Sequence, residues 1–144
     1  MNFRGGPVLL LDVKGLITVP TRWRELLMAN VAGQLVVAKN PDGCLSLYPL
    51  PVWEKVESEL LSLSSEHDAW RRIFIGSATD VEIDSASRVL IPPELRSWAG
   101  FDREVKFMGV GPHFELWDQA RYQAHETAAV AAGRPEPVRN MVVR

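Results

Sequence analysis

Four apolar residues, Val8 to Leu11, are followed by a polar break over Asp12 to Gly15 and a second β-prone stretch, Leu16 to Val19. Short apolar runs bounded by turn residues predict buried strands, and Gly15 supplies the positive φ a tight turn needs. Pro20 stops the second strand and suits a helix start. Thr21 is the expected N-cap of a helix over 22–30, because Trp23, Leu26, Leu27 and Val31 recur at helical spacing. Gly33 can close that helix. Strands over 34–38 and 44–48 then flank Asn40-Pro-Asp-Gly43, a strong turn sequence. Val52, Val56, Leu60 and Leu63 predict a helix over 52–63, and a second helix is expected over 66–74.

The pattern then repeats. Strands are predicted over 81–83 and 89–91 around a turn at 84–87, followed by a short helix over 93–98 and strands over 104–110 and 113–117. Asp12 to Pro20 lies over Asp84 to Pro92 at an offset of 72, which also carries Arg24 onto Arg96. Leu45-Ser-Leu-Tyr48 lies over Phe114-Glu-Leu-Trp117 at an offset of 69, as does Trp53 over Tyr122. The chain therefore divides into a first half over 7–54, a helical connector over 55–77, a second half over 78–123 and a tail over 124–144. The tail, small and proline-broken from Ala128, is expected to be mobile. One such unit is too short to bury both faces of its sheet, whereas two copies that exchange strands about a pseudo-two-fold axis can do so.

Charge changes this picture locally. The formal net charge is −2, which argues against indiscriminate coating of nucleic acid but not against one basic face. Up to Arg24 the cations are Arg4, Lys14, Arg22 and Arg24 against Asp12 alone; from Glu54 to Asp68 five acids face Lys55 alone. No apolar run reaches the ~20 residues of a membrane span, and Pro7 to Leu11 ends at Asp12 without a cleavage signal. Cys44, the sole cysteine, cannot form an internal disulfide, so a cytoplasmic location follows. It reads as a small buried residue, and His67, His113 and His125 lack metal-ligand spacing. Glu57 and Glu59 read as helix-surface acids. No nucleophile–base pair, phosphate loop or metal motif is present, so no enzyme activity, cofactor or small-molecule substrate is expected.

Asp12 and Asp84 are expected to form Asx-type turns on the following backbone, with Gly15 a structural turn residue. Arg88 is a candidate for a pair with Asp84. Arg24 and Arg96 are expected to cover apolar surface with their stems, and Arg71-Arg72 to be a solvated helix face or a subunit contact.

From Met1 to about Ala124 the chain resembles the MraZ family, whose halves are AbrB/SpoVT-type DNA-binding units. The resemblance rests on Phe3-Arg4-Gly5, Leu11-Asp12-x-Lys14-Gly15, Val19-Pro20-x-x-x-Arg24, Cys44-Leu45-x-Leu-Tyr48-Pro49 and Trp53-Glu54 in the first half. In the second half it rests on Asp84-x-x-x-Arg88-x-Leu-Ile-Pro92, Leu95-Arg96, Ala99-Gly100 and Phe114-Glu-Leu-Trp117-Asp118. It implies a mainly β, α+β fold: an AbrB-like barrel of two pseudo-symmetric halves with intervening helices. It also implies a ring of identical subunits on double-stranded DNA, a nucleoid-associated regulator. Such a ring would bind tandem promoter repeats and usually repress the division and cell-wall gene cluster.

Two positions depart from the family's Asp-x-x-x-Arg pattern. Leu16 stands where the first arginine belongs, and Ser87 replaces the turn glycine of the second half. A leucine there removes a charge-assisted contact to phosphate or to a guanine edge. Arg4, Lys14, Arg22 and Arg88 are then the expected DNA-binding residues, the first three chiefly on phosphates. A ring-forming interaction scaffold with weakened or lost DNA binding is the alternative that Leu16 leaves open.

Overall fold

The computed structural model describes residues 1–142. The first half contributes β1 (Phe3–Gly5), β2 (Val8–Leu10), β3 (Leu16–Thr18), α1 (Thr21–Val31), β4 (Gln34–Asn40) and β5 (Cys44–Pro49). Helices α2 (Leu50–Ser62) and α3 (Asp68–Phe74) lead to the second half. There β6 (Thr79–Glu82), β7 (Arg88–Leu90), α4 (Pro93–Trp98), β8 (Glu104–Gly111) and β9 (Phe114–Asp118) repeat the order. Helices α5 (Gln119–Ala132) and α6 (Glu136–Arg139) follow.

Hydrogen bonding makes one antiparallel sheet in the order β1-β8-β9-β5-β4-β6, with β2 also on β8, and a separate two-stranded ribbon, β3-β7. The sheet stops at β6 on one edge and at β1 and β2 on the other, so the expected barrel is replaced by an open sheet with the ribbon apart from it. The fold is α+β, and the strand registers show how its halves interlock. Strand β2 of the first half pairs with β8 of the second (Leu9 opposite Val105), and β6 pairs with β4 (Val81 opposite Leu35). In the ribbon Ile17 lies opposite Val89, its own repeat mate. In the sheet Ser46 lies opposite Glu115, again repeat mates. Strand exchange is thus written into the registers themselves, and every half borrows its sheet neighbour from the other.

One cluster fills the space between sheet, ribbon and helices: Ile17, Val89, Trp23, Leu27, Leu95, Val105, Phe107 and Phe114 among others. Strand alternation sends Ile17 and Val89 inward, at 1% and 0% exposure, and leaves Leu16, Thr18, Arg88 and Leu90 on the outer surface. Val36, Ala38, Tyr48 and Trp53 form a second cluster on the sheet's other face, under α2.

Local differences from the expected elements have simple causes. Thr21 is the first residue of α1 rather than its cap; Pro20 holds the cap position without a side-chain bond, and its carbonyl accepts from the N–H groups of Trp23 and Arg24. Residues 119–132 form a helix past Ala128, because alanines favour it and the Asp118 carboxylate accepts from the Arg121 N–H at 3.1 Å. The short strand β1 escapes a pattern-based reading, since its residues are Phe-Arg-Gly.

Candidate nucleic-acid interface

The turns that open β3 and β7 are built alike. Asp12 Oδ1 accepts from the N–H groups of Lys14 (2.9 Å) and Leu16 (2.8 Å). Asp84 Oδ1 accepts from those of Ala86 (2.9 Å) and Arg88 (2.8 Å). The Gly15 and Ser87 N–H groups return to the carbonyls of Asp12 and Asp84, both at 3.0 Å. Each turn then docks on the opposite half: Ile91 donates to the Gly15 carbonyl and Val19 to the Ser87 carbonyl. These bonds hold both carboxyls below the ordinary aspartate range. For Asp12 the Leu16 N–H contributes most, for Asp84 the Arg88 N–H, with the Arg88 guanidinium adding to both.

The side chains differ. Arg88 donates from Nε to Asp84 Oδ2 at 3.2 Å and is ion-paired with it, so its pairing inside the turn is present. Leu16, at the equivalent place, offers no charge. Residue 15 needs a glycine: its φ is +90°, and a Cβ there would lie 2.7 Å from the Arg96 guanidinium carbon. Ser87 adopts φ +65°, an unusual conformation for a residue with a side chain.

The structure brings the Arg22 side chain to the Arg4 main chain and leaves Lys14 elsewhere. An Arg22 guanidinium nitrogen lies 3.5 Å from the Arg4 carbonyl, and its carbon sits 4.4 Å from the Trp23 ring centroid. The Val19–Ser87 bond sets the start of α1, and so Arg22, beside the turn that carries Arg88. Lys14 is on the other turn. Arg4 pairs with Val110 and Leu10 with Glu104, six residues apart on β8, a span of about 20 Å; Lys14 lies beyond the Leu10 end. At the repeat mate of Arg22 stands Glu94, ion-paired with Lys39 at 3.7 Å. One end of the ribbon is therefore basic and the other neutralised. Among the described residues neither Arg4 nor Arg22 has a carboxylate partner within ion-pair distance.

Four further cations, Lys106, Arg24, Arg96 and Arg71, lie within the fold. Lys106 donates to the Gly6 carbonyl at 2.7 Å and pins the loop between β1 and β2. Arg24 and Arg96 each bury an Nε that has no hydrogen-bond partner, and Arg96 lies against Gly15 of the other half. Their common place four residues after a repeated proline was the available signal. Arg71 is not a free surface cation: it binds Asp68 and the carbonyls of Leu60, Leu63 and Ser64, closing the end of α2. Cys44 is fully buried, and burial pushes its thiol far up, so little thiolate forms at neutral pH. No helix among the described residues is long and apolar enough to cross a membrane.

Comparison with known proteins gives concordant matches. A family model described as "MraZ protein, putative antitoxin-like" matches residues 3–73 and again 74–144. The proteins named transcriptional regulator MraZ from Burkholderia mallei and Burkholderia thailandensis are 49% identical over 138 residues, covering 96% of this chain and 97% of theirs. Its namesake in Burkholderia cenocepacia is 48% identical over the same length.

Proposed function

Because the chain belongs to the MraZ family, we propose that it regulates transcription by binding double-stranded DNA through the basic end of its ribbon. The observation that carries this reading is the Arg22 guanidinium set against the Arg4 main chain, with neither residue in an ion pair among the described residues, beside the turn that presents Arg88. Phosphates are attracted there by uncompensated charge, and Arg88 is the group able to reach a base edge once it leaves Asp84. Lys14 belongs to a second, weaker contact on the other turn.

The exchanged strands and outward ribbon support an AbrB/SpoVT-type unit, with halves at 7–54 and 78–123 around the 55–77 connector. A single basic end gives weak binding. A ring of copies on tandem promoter repeats gains by avidity, and the regulated genes are then those of division and cell-wall synthesis, usually under repression. Purified protein titrated with its own upstream DNA at two salt concentrations tests this. Affinity is expected to fall with a log–log slope of about −0.9 per neutralised phosphate. Affinity indifferent to salt would remove the mechanism.

The scaffold reading is favoured by one observation: Leu16 is uncharged and Arg88 is already paired with Asp84, so the ribbon itself offers no free guanidinium. A multimer that binds neither its promoter nor random duplex at low salt would establish it.

A further inference from the structure

The ribbon's outer face carries two cross-strand pairs of opposite character. Strand register sets Thr18 opposite Arg88 and Leu16 opposite Leu90. The first pair is polar and cationic and lies at the end where α1 begins with Arg22. The second is wholly apolar. Directly opposed side chains of an antiparallel pair stand within about 5.5 Å of each other, so the two leucines make one patch. On the turn that leads into β3, Val13 adds a third exposed apolar residue. Leu90 is 51% exposed and Val13 97%. Among the described residues neither they nor Leu16 joins either apolar cluster.

The fold does not ask for leucine at these places. Ile17 and Val89 fill the inward positions, and the solvent side of an antiparallel pair is ordinarily polar. The repeat mates of Leu16 and Leu90 are Arg88 and Thr18, so the same backbone accepts polar side chains at both. The leucines serve what the ribbon touches. A two-stranded ribbon fits the major groove of a duplex, whose base edges there are hydrogen-bonding groups except for the thymine 5-methyl. Positions 88 and 90 lie about 6.6 Å apart along β7, roughly two base-pair steps. Lys14, on the same turn as Val13, brings the charge that holds this end to phosphate. Glu94, at the start of α4 beside that turn, is neutralised by Lys39.

We propose that Leu16 and Leu90 read thymine 5-methyl groups in the major groove, roughly two base pairs from the base that Arg88 reads. This inference rests on the DNA-binding reading above and gives the ribbon's two ends separate tasks. One end reads by charge and hydrogen bonding, the other by apolar contact. Leucine at position 16 then changes what the ribbon recognises rather than abolishing recognition.

The test exchanges uracil for thymine throughout the protein's own upstream duplex, which deletes the 5-methyl groups and leaves pairing and charge unchanged. Wild-type affinity is expected to fall about fourfold for each methyl covered, the value of one buried methyl-sized group. Leu16→Gln and Leu90→Gln, each checked for wild-type circular dichroism, are expected to bind the thymine duplex more weakly. Each should lose part of the uracil penalty, and the double variant all of it, whereas Arg88→Ala should keep it. Should a glutamine variant misfold, serine takes its place. A folded double variant that retains the full penalty would assign it to duplex shape and overturn the proposal. A wild-type protein indifferent to the exchange would overturn it too, and neither result touches DNA binding itself. A wild-type chain that binds neither duplex would end both readings.

Discussion

The turns at 12–15 and 84–87 share every backbone hydrogen bond and almost no side-chain chemistry. Both aspartates hold the second and fourth N–H groups after them, and both turns lean on the other half through one strand bond. Yet one turn carries glycine and leucine where the other carries serine and arginine. The fold asks only for an aspartate, a residue able to adopt positive φ, and inward Ile17 or Val89. The outward positions are free to diverge. A duplicated fold can thus keep its symmetry while its surface becomes one-sided, basic near Arg4, Arg22 and Arg88 and neutralised near Glu94.

The largest test of that comparison is steric. Gly15→Ala places a Cβ against the Arg96 guanidinium at an unfavourable φ, and is expected to destabilise by roughly 2–3 kcal/mol in denaturant unfolding. Ser87→Ala keeps a side chain where one is already tolerated and is expected to shift stability by under about 1 kcal/mol. Equal losses at the two sites would mean that the turns are constrained alike. Next in size is DNA affinity. Arg88→Ala is expected to weaken promoter binding by roughly 1–3 kcal/mol, if the arginine reads a base. Leu16→Arg, which restores the missing charge, is expected to tighten it by about tenfold. A gel-shift series with no gain, on a folded protein, would take position 16 out of the interface.

Smaller still is the separation of the two ends by salt. Arg4→Ala and Arg22→Ala are each expected to flatten the log–log slope by about 0.9. Lys14→Ala is expected to do less, because its turn lies at the neutralised end. If Lys14→Ala flattens the slope as much as Arg22→Ala, the two ends bind equally and the one-sided picture fails.

Much of this fold was legible because it obeys period and repeat. Asp12 over Asp84 and Pro20 over Pro92 located both turns, and the β-prone runs after them located the ribbon's strands. Strand exchange was inferable from the thinness of one unit, but its partners, such as Leu9 with Val105, are non-local and leave no mark in a window of residues. The open sheet was missed for the same reason. At the site, the sequence marked Arg4, Lys14, Arg22 and Arg88 by charge but could not tell that the turns carrying Lys14 and Arg88 lie at opposite ends of the ribbon. That depends on which turn docks on which helix. The solvated-face reading of Arg71 failed because the carbonyls it caps at the end of α2 become its partners only after the chain doubles back.

The finest discrimination between the halves is in the carboxyls. Both are depressed below the ordinary aspartate value. A carboxyl lowered by folding adds stability above its unfolded value, and that stability is lost as pH falls through the folded value. Asp12 and Asp84 should therefore contribute nothing to pH dependence near neutrality and should weaken the fold only below about pH 4. Removing Arg88 separates them. Asp84 loses both a side-chain hydrogen bond and a neighbouring charge, whereas Asp12 loses only the charge. In Arg88→Ala, carboxyl titration by NMR should show Asp84 rising further than Asp12, though both stay below the ordinary value because their backbone donors remain. A larger rise at Asp12 would mean that Arg88 points across the ribbon rather than into its own turn.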